Sequence, residues 1–355
     1  MRTVSLPNKL LSASLLILLC HLLHGQQRIF QGRKLFADTS LLKVEVLLPL
    51  DSITSDDCKN PQYFKGRIFL TDEGQSHEIK VKARKRAKFR CDPVNCSLPP
   101  FMLKIDPGDA HGTVFQGCKK LKITHTCRPE KKGYQNLVLK EYLVYRIFNK
   151  ITDSSFRVRL AHLTYRKMPS GEVIYKVYGF FIEDDDDLAR RMDAKVLNAT
   201  NLFDEWFDPA MLFLTTLFEY MIGNTDYNIE TAHNIEVLAL GGKGHLFPVP
   251  YDFDWSGLVN APYAQPALHT GLTQVTQRWY QGPCPSDTVL SFVRQRLLDR
   301  KEVIKAEVVR FNLLTSKEKK QMLNYIEKFY RELNNSVRFR KMLLKTCRKP
   351  ASDAK

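Results

Sequence analysis

The sequence predicts an α+β protein in two lobes: a β-rich N-terminal lobe over 26–183 with one helix, and a mainly helical C-terminal lobe over 184–355. Three observations predict it. Short alternating apolar runs, separated by turn residues, fill the first half. A 3.6-residue apolar period takes over after about 184. An apolar fraction of 44% against 26% charged residues in 355 supplies a core and excludes a disordered or collagen-like chain.

Residues 1–25 read as an export signal: Arg2 and Lys9 precede the apolar run Leu10–Leu23, and Gly25 is a small residue at the cleavage point. No later stretch is long and apolar enough to span a membrane. Lys43–Leu48, Tyr63–Thr71, His77–Ala83, Phe101–Ile105, Leu121–Thr126, Phe156–Tyr165 and Val173–Ile182 read as strands. Gln135–Lys150 is the single helix expected among them, with Leu139, Tyr142, Leu143 and Ile147 on one face. In the second half, Asp208–Ile222 reads as an apolar helix with Asp208 as N-cap and Pro209 at its first position. Helices are also expected within 287–312 and at Thr315–Leu333, and a short β pair at Ile235–Leu240 and His245–Val249. The Gly241-Gly242-Lys243-Gly244 segment is read as a hairpin turn, since a strand follows it and no Ser or Thr follows the lysine.

The net charge of +16 favours an anionic partner without identifying one. Lys80, Lys82, Arg84, Lys85, Arg86, Lys88 and Arg90 form the densest basic stretch, read as a solvated face whose even-numbered members share one side of a strand. Aromatic residues are scarce there, which disfavours nucleic acid. Seven cysteines follow the export signal, so disulfides are expected in an oxidising compartment and at least one thiol is left over; the pairing is not deducible.

The segment richest in chemistry is Gly223–Gly257. Gly223-Asn224-Thr225-Asp226 is a turn after a buried helix, Asn234 precedes the β pair, and Asp252 and Asp254 follow it. A hairpin returns the chain near its start, so Asp226, Asn234 and Asp252 can meet at one end of it. Phosphoryl transfer needs such a set: a carboxylate to take the proton of the attacking hydroxyl, and an amide oxygen and a second carboxylate to hold magnesium. Asp226 and Asn234 are eight residues apart, so Asn228 or His233 are alternative partners for Asp226. Asp184–Asp187 reads as an acidic helix N-terminus, with Asp186–Arg190 and Asp187–Arg191 as pairs one turn apart.

Arg84–Leu103, Leu121–Cys127, Glu141–Tyr165, Tyr178–Asp184 and Gly223–Ala264 resemble a family of uncharacterised exported bacterial proteins. More distantly, the acidic loop, hairpin and Pro250-Tyr251-Asp252-Phe253-Asp254 resemble the spore-coat H-type (CotH) secreted kinases, an atypical branch of the protein-kinase-like fold. That resemblance implies a two-lobed kinase-like fold using ATP and Mg. It implies Asp226 as the catalytic carboxylate, and Asn234, Asp252 and Asp254 around the metal. It further implies Lys122 or Lys104 at the nucleotide phosphates, Glu141 paired with that lysine, and Glu183 near the base. The glycine-rich G-x-G-x-x-G is missing from the N-terminal half. The reading is an exported, kinase-like phosphotransferase acting on a protein, glycan or lipid hydroxyl. The alternatives are a catalytically inactive envelope-binding protein and a metal-dependent hydrolase built on the same carboxylates.

Overall fold

The first four strands bury alternate residues, and the computed structural model, which describes residues 33–349 except Glu73, Gly242 and Lys243, shows that the next three lose the alternation at 123–125, 158–161 and 179–182, where successive residues are buried. The strands are β1 (Leu42–Leu48), β2 (Phe64–Asp72), β3 (Gln75–Lys85), β4 (Phe101–Ile105), β5 (Lys120–His125), β6 (Val158–Lys167) and β7 (Val173–Ile182). They close into a barrel in the order β1-β2-β3-β4-β5-β7-β6. Val46, Leu48, Ile68, Ile79, Val81, Phe101, Leu103, Leu121, Ile123 and Leu163 fill its interior. The export signal read at 1–25 lies outside the described residues.

This closure corrects the expected two-lobed kinase-like fold. β1 pairs antiparallel with β2 and also runs parallel to β6, in register from Leu42 opposite Ala161 to Leu48 opposite Lys167. That second pairing removes both open edges of the sheet, an arrangement that alternation along any one strand does not disclose. The first half also holds two α-helices rather than one: α1 (Leu50–Ser55) follows β1, and α2 (Tyr134–Ile151) follows β5. Gly66 shows how tightly the closure packs, because a Cβ there would stand 2.6 Å from the carbonyl oxygen of Leu47 on β1.

The remaining helices are α3 (Asp185–Arg191), α4 (Pro209–Ile222), α5 (Asp287–Arg310), α6 (Ser316–Asn334) and α7 (Ser336–Thr346). Asp208 caps α4 by accepting from the Met211 amide at 2.9 Å, and Thr315 and Glu318 form a reciprocal capping box at α6. A three-stranded sheet of β8 (Ala194–Val196), β9 (Ile235–Leu240) and β10 (Leu246–Pro250) lies beside them in the order β10-β9-β8. Helix α2 joins the two parts: Val144, Ile147 and Phe148 share a core with Phe218, Phe253 and Ile304. All described residues belong to one compact unit. Three disulfides, Cys58–Cys91, Cys96–Cys127 and Cys284–Cys347, pair every described cysteine except the buried Cys118. They fit an oxidising compartment. No helix among the described residues is long and apolar enough to cross a membrane.

Candidate functional site

The site begins at the end of α4, where Gly223 adopts φ +69° and releases the chain from the helix. The side-chain oxygen of Asn224 then accepts from the Asp226 amide at 2.9 Å, an Asx turn that aims the Asp226 carboxylate outward. A tight bridge between Asn228 and His233 returns the chain. His233 Nε2 meets Asp226 Oδ1 at 3.2 Å, and Asn234 Nδ2 donates to Asp226 Oδ2 at 3.1 Å and to its carbonyl at 2.7 Å. Two of the three partners expected for Asp226, Asn234 and His233, therefore hold it together. Asn228 does not: its side chain accepts from Thr231. The hydrogen bond to Asp226 raises the His233 pKa above its ordinary value.

β9 and β10 then bring the chain back. The Tyr251 amide donates to the Asn234 carbonyl at 3.0 Å, which sets Asp252 beside Asn234. The Asp252 amide donates to the Tyr145 hydroxyl on α2 at 2.8 Å. Asn234 and Asp252 have φ of +55° and +63°, a left-handed conformation that Asn and Asp tolerate better than other side chains and that concentrates at functional sites.

Beneath them lies a cluster that sequence reasoning did not assemble. One oxygen each of Glu141, Asp252 and Asp254 lie within 4.8 Å of one another. The Arg90 guanidinium sits among them, 3.5 Å from Glu141 and 3.7 Å from Asp254, and bonded to Asp252. Glu141 and Asp254 are almost fully buried, whereas Asp252 keeps about a quarter of its side chain exposed. Burial raises the pKa of Glu141 against the pull of Arg90. It does the same for Asp254, aided by the negative charges of Asp252 and Asp226. Burial also opposes the Arg90 charge, but the carboxylates of Asp254, Asp252 and Glu141 outweigh it and raise its pKa. Tyr263 donates to Asp254 Oδ2 at 3.0 Å, while Glu141 Oε1 is buried without a hydrogen-bond partner. Arg86 adds positive charge near Asp252 and donates to Thr124 at 2.7 Å.

Lys122 stands on the outer face of β5, where it pairs with Asp185 at the start of α3 rather than with Glu141. It also lies 5.0 Å from the ring centre of Phe156 and 5.5 Å from that of Tyr251. The expected Lys122–Glu141 pair is thus replaced by Lys122–Asp185 and Arg90–Glu141, because α2 turns Glu141 towards the Cys91 segment. Glu236, pushed up to about 7 by burial and by the charge of Asp185, completes this neighbourhood. Lys104 is elsewhere, on the outside of β4, 4.2 Å from the centre of the Tyr63 ring. Glu183 is fully buried, and Arg191 holds both its oxygens at 3.0 and 2.9 Å. Asp186 and Asp187 do not form the expected pairs: Asp186 meets Lys120 at 3.7 Å, and Asp187 binds Arg33 and Arg190.

The three carboxylates are hard oxygen donors of the kind magnesium takes, with one buried oxygen of Glu141 unpartnered, and in this structure the Arg90 guanidinium stands among them. Arg90 was missed because it lies in a basic stretch read as solvated. The available signal was its neighbour Cys91, whose bond to Cys58 tethers this turn to the segment after α1.

No family model matches the chain, and no curated protein does, so the resemblance to the spore-coat H-type kinases gains no support. A solved structure described as the crystal structure of a Helicobacter pylori proinflammatory kinase CtkA is similar to this chain. The TM-score is 0.38 with 11% identity, over 65% of this chain and 94% of that one. A likeness that remote carries no argument about chemistry.

Proposed function

We propose that the chain transfers a phosphoryl group from ATP to a hydroxyl of a protein, glycan or lipid acceptor outside the cytoplasm. The observation that carries the reading is the clamped Asp226: a part-exposed carboxylate fixed by His233 and Asn234 beside the Glu141–Asp252–Asp254 cluster. Asp226 orients the acceptor hydroxyl and takes its proton as the oxygen bonds to the γ-phosphorus and the bond to the β–γ bridging oxygen breaks. His233 and Asn234 keep the carboxylate in one orientation. Asp252 and Asn234, with Asp254 behind them, are the residues that would hold magnesium, which when bound neutralises phosphate charge. Lys122, beside the Tyr251 ring, supplies a cation for the nucleotide phosphates.

The test is label transfer from γ-labelled ATP with magnesium to protein, glycan and lipid fractions. Asp226→Asn and Asp252→Asn are expected to abolish it. Transfer that survives both changes removes the assignment. One observation favours a second reading, a protein that binds without catalysing: Arg90 already neutralises the carboxylate cluster. A wild-type melting temperature unmoved by ATP and magnesium together would support that reading.

A further inference from the structure

The outer face of the barrel carries a charge arrangement that the cleft does not use. In the strand register Lys65 on β2 stands opposite Lys82 on β3, Lys82 opposite Lys104 on β4, and Lys104 opposite Lys120 on β5. Four lysines thus form one row across four adjacent strands, spanning roughly 14 Å at the usual spacing between strands. All four are exposed. Lys80 and Arg67 are opposed in a neighbouring row, and Arg84 lies two residues along from Lys82.

Like charges placed directly opposite on neighbouring strands repel and destabilise the pairing. Neutralisation within the surface is partial. Arg67 reaches Glu78 at 3.1 Å, Lys80 reaches Asp109 at 3.5 Å, and Lys120 reaches Asp186 at 3.7 Å. Lys65 and Lys82 have no acidic partner among the described residues, and Lys104 rests on the Tyr63 ring. Beside the row lies a cleft of about 570 Å³ lined by Lys65, Arg67, Lys80, Lys82 and Lys104, with Pro107 and Met168 as apolar walls and one carboxylate, Asp106, which accepts from the Gly108 and Asp109 amides.

We infer that this row is a binding surface for a linear acidic glycan, one bearing carboxylate or sulfate groups along its length. A regular line of cations meets a chain of regularly placed anions, and the lysine stems, Pro107 and Met168 offer apolar surface to sugar rings. Three features favour a glycan over nucleic acid. The Tyr63 ring carries Lys104 and Arg84 at 4.2 and 5.3 Å from its centre, so the aromatic beside the row is already engaged by cations. The row is built from lysine point charges rather than the planar fork of arginine that reads phosphates and base edges in pairs. The three disulfides fit an oxidising compartment, where surface glycans are met. None of this depends on the phosphotransfer reading.

The test is fluorescence anisotropy on the full chain with two labelled probes, a heparin-derived oligosaccharide and a DNA duplex of equal charge, over a salt series. The wild type is expected to bind the oligosaccharide more tightly. The double change Lys82→Gln with Lys104→Gln is expected to weaken it about tenfold and to lower the salt slope by about two. Lys317→Gln with Lys341→Gln, exposed lysines on α6 and α7, removes the same charge elsewhere and is expected to change little. Because the row repels itself, the Lys82/Lys104 variant should melt at or above the wild-type temperature, which shows that any lost binding is not lost folding. Equal weakening in both variants, tighter binding of the duplex, or no glycan binding by the folded wild type overturns the proposal. Label transfer from ATP is a separate readout, since neither variant alters Asp226, Asn234 or the Glu141–Asp252–Asp254 cluster.

Discussion

Two regions of this chain concentrate charge and treat it in opposite ways. In the cleft, Glu141, Asp252 and Asp254 crowd together only because Arg90 stands among them at 3.5–3.7 Å or closer, and two of the three are almost fully buried. On the barrel exterior, Lys65, Lys82, Lys104 and Lys120 face one another with few counter-charges. Away from water a charge must be paired or neutralised, so the cleft had to acquire an arginine. Exposed lysines are solvated and screened, so their repulsion costs little and can persist. A buried charge cluster is therefore dominated by internal pairing, whereas an exposed one of a single sign stays available to an external partner.

The comparison can be broken at several points. The largest effect expected is on chemistry: Asp226→Asn should lower label transfer by roughly 10²–10⁴-fold while leaving the urea midpoint nearly unchanged, since the side chain is part-exposed. Next is Arg90→Met, which strands three carboxylates; chemical denaturation should show a loss of about 3–5 kcal/mol. An unchanged midpoint would mean that the cluster does not need its cation.

A smaller effect comes from His125, buried against Phe101 and Tyr165, whose pKa burial holds down to about 3 from an ordinary 6.5. The unfolded chain takes up this proton first as pH falls. The stability of the neutral form is therefore complete above pH 6.5 and is lost progressively towards pH 3. Between pH 6.5 and 5 the wild type should lose about 2 kcal/mol more than His125→Gln, followed by urea unfolding at each pH. The smallest effect is on the exterior: Lys82→Gln should raise stability by about 0.2–1 kcal/mol, read as a higher urea midpoint. A lower midpoint would show that the lysine row is not self-repelling.

Much of the local structure was legible in the residues. Val173–Ile182 and Phe101–Ile105 form strands with the bounds their patterns predict, and α2 and α4 fall within a residue of the periodic segments. Gly223-Asn224-Thr225-Asp226 declared its turn, and the hairpin that returns Asp252 towards Asn234 could be read from two apolar runs around glycines. Arg90 could not be assigned to the cluster, because 162 residues separate it from Asp252 and nothing in its basic stretch announces that Lys85 and Arg90 are buried while Lys88 is exposed. The short helices α1 and α7 and strand β8 were not anticipated, since each is too brief or too polar to show a period.

What the sequence determined by itself was the set of local elements and the placement of Asp226, Asn234, Asp252 and Asp254 around one hairpin. Those follow from side-chain periodicity and turn chemistry acting over a few residues. Only the tertiary structure decided that β1 would pair with β6 and close a barrel, that Glu141 would meet Arg90 while Lys122 met Asp185, and that four lysines would fall into one row. Each of these depends on strand partners and helix faces brought together across long stretches of chain, where burial and hydrogen-bond satisfaction select the partner and adjacency in sequence does not.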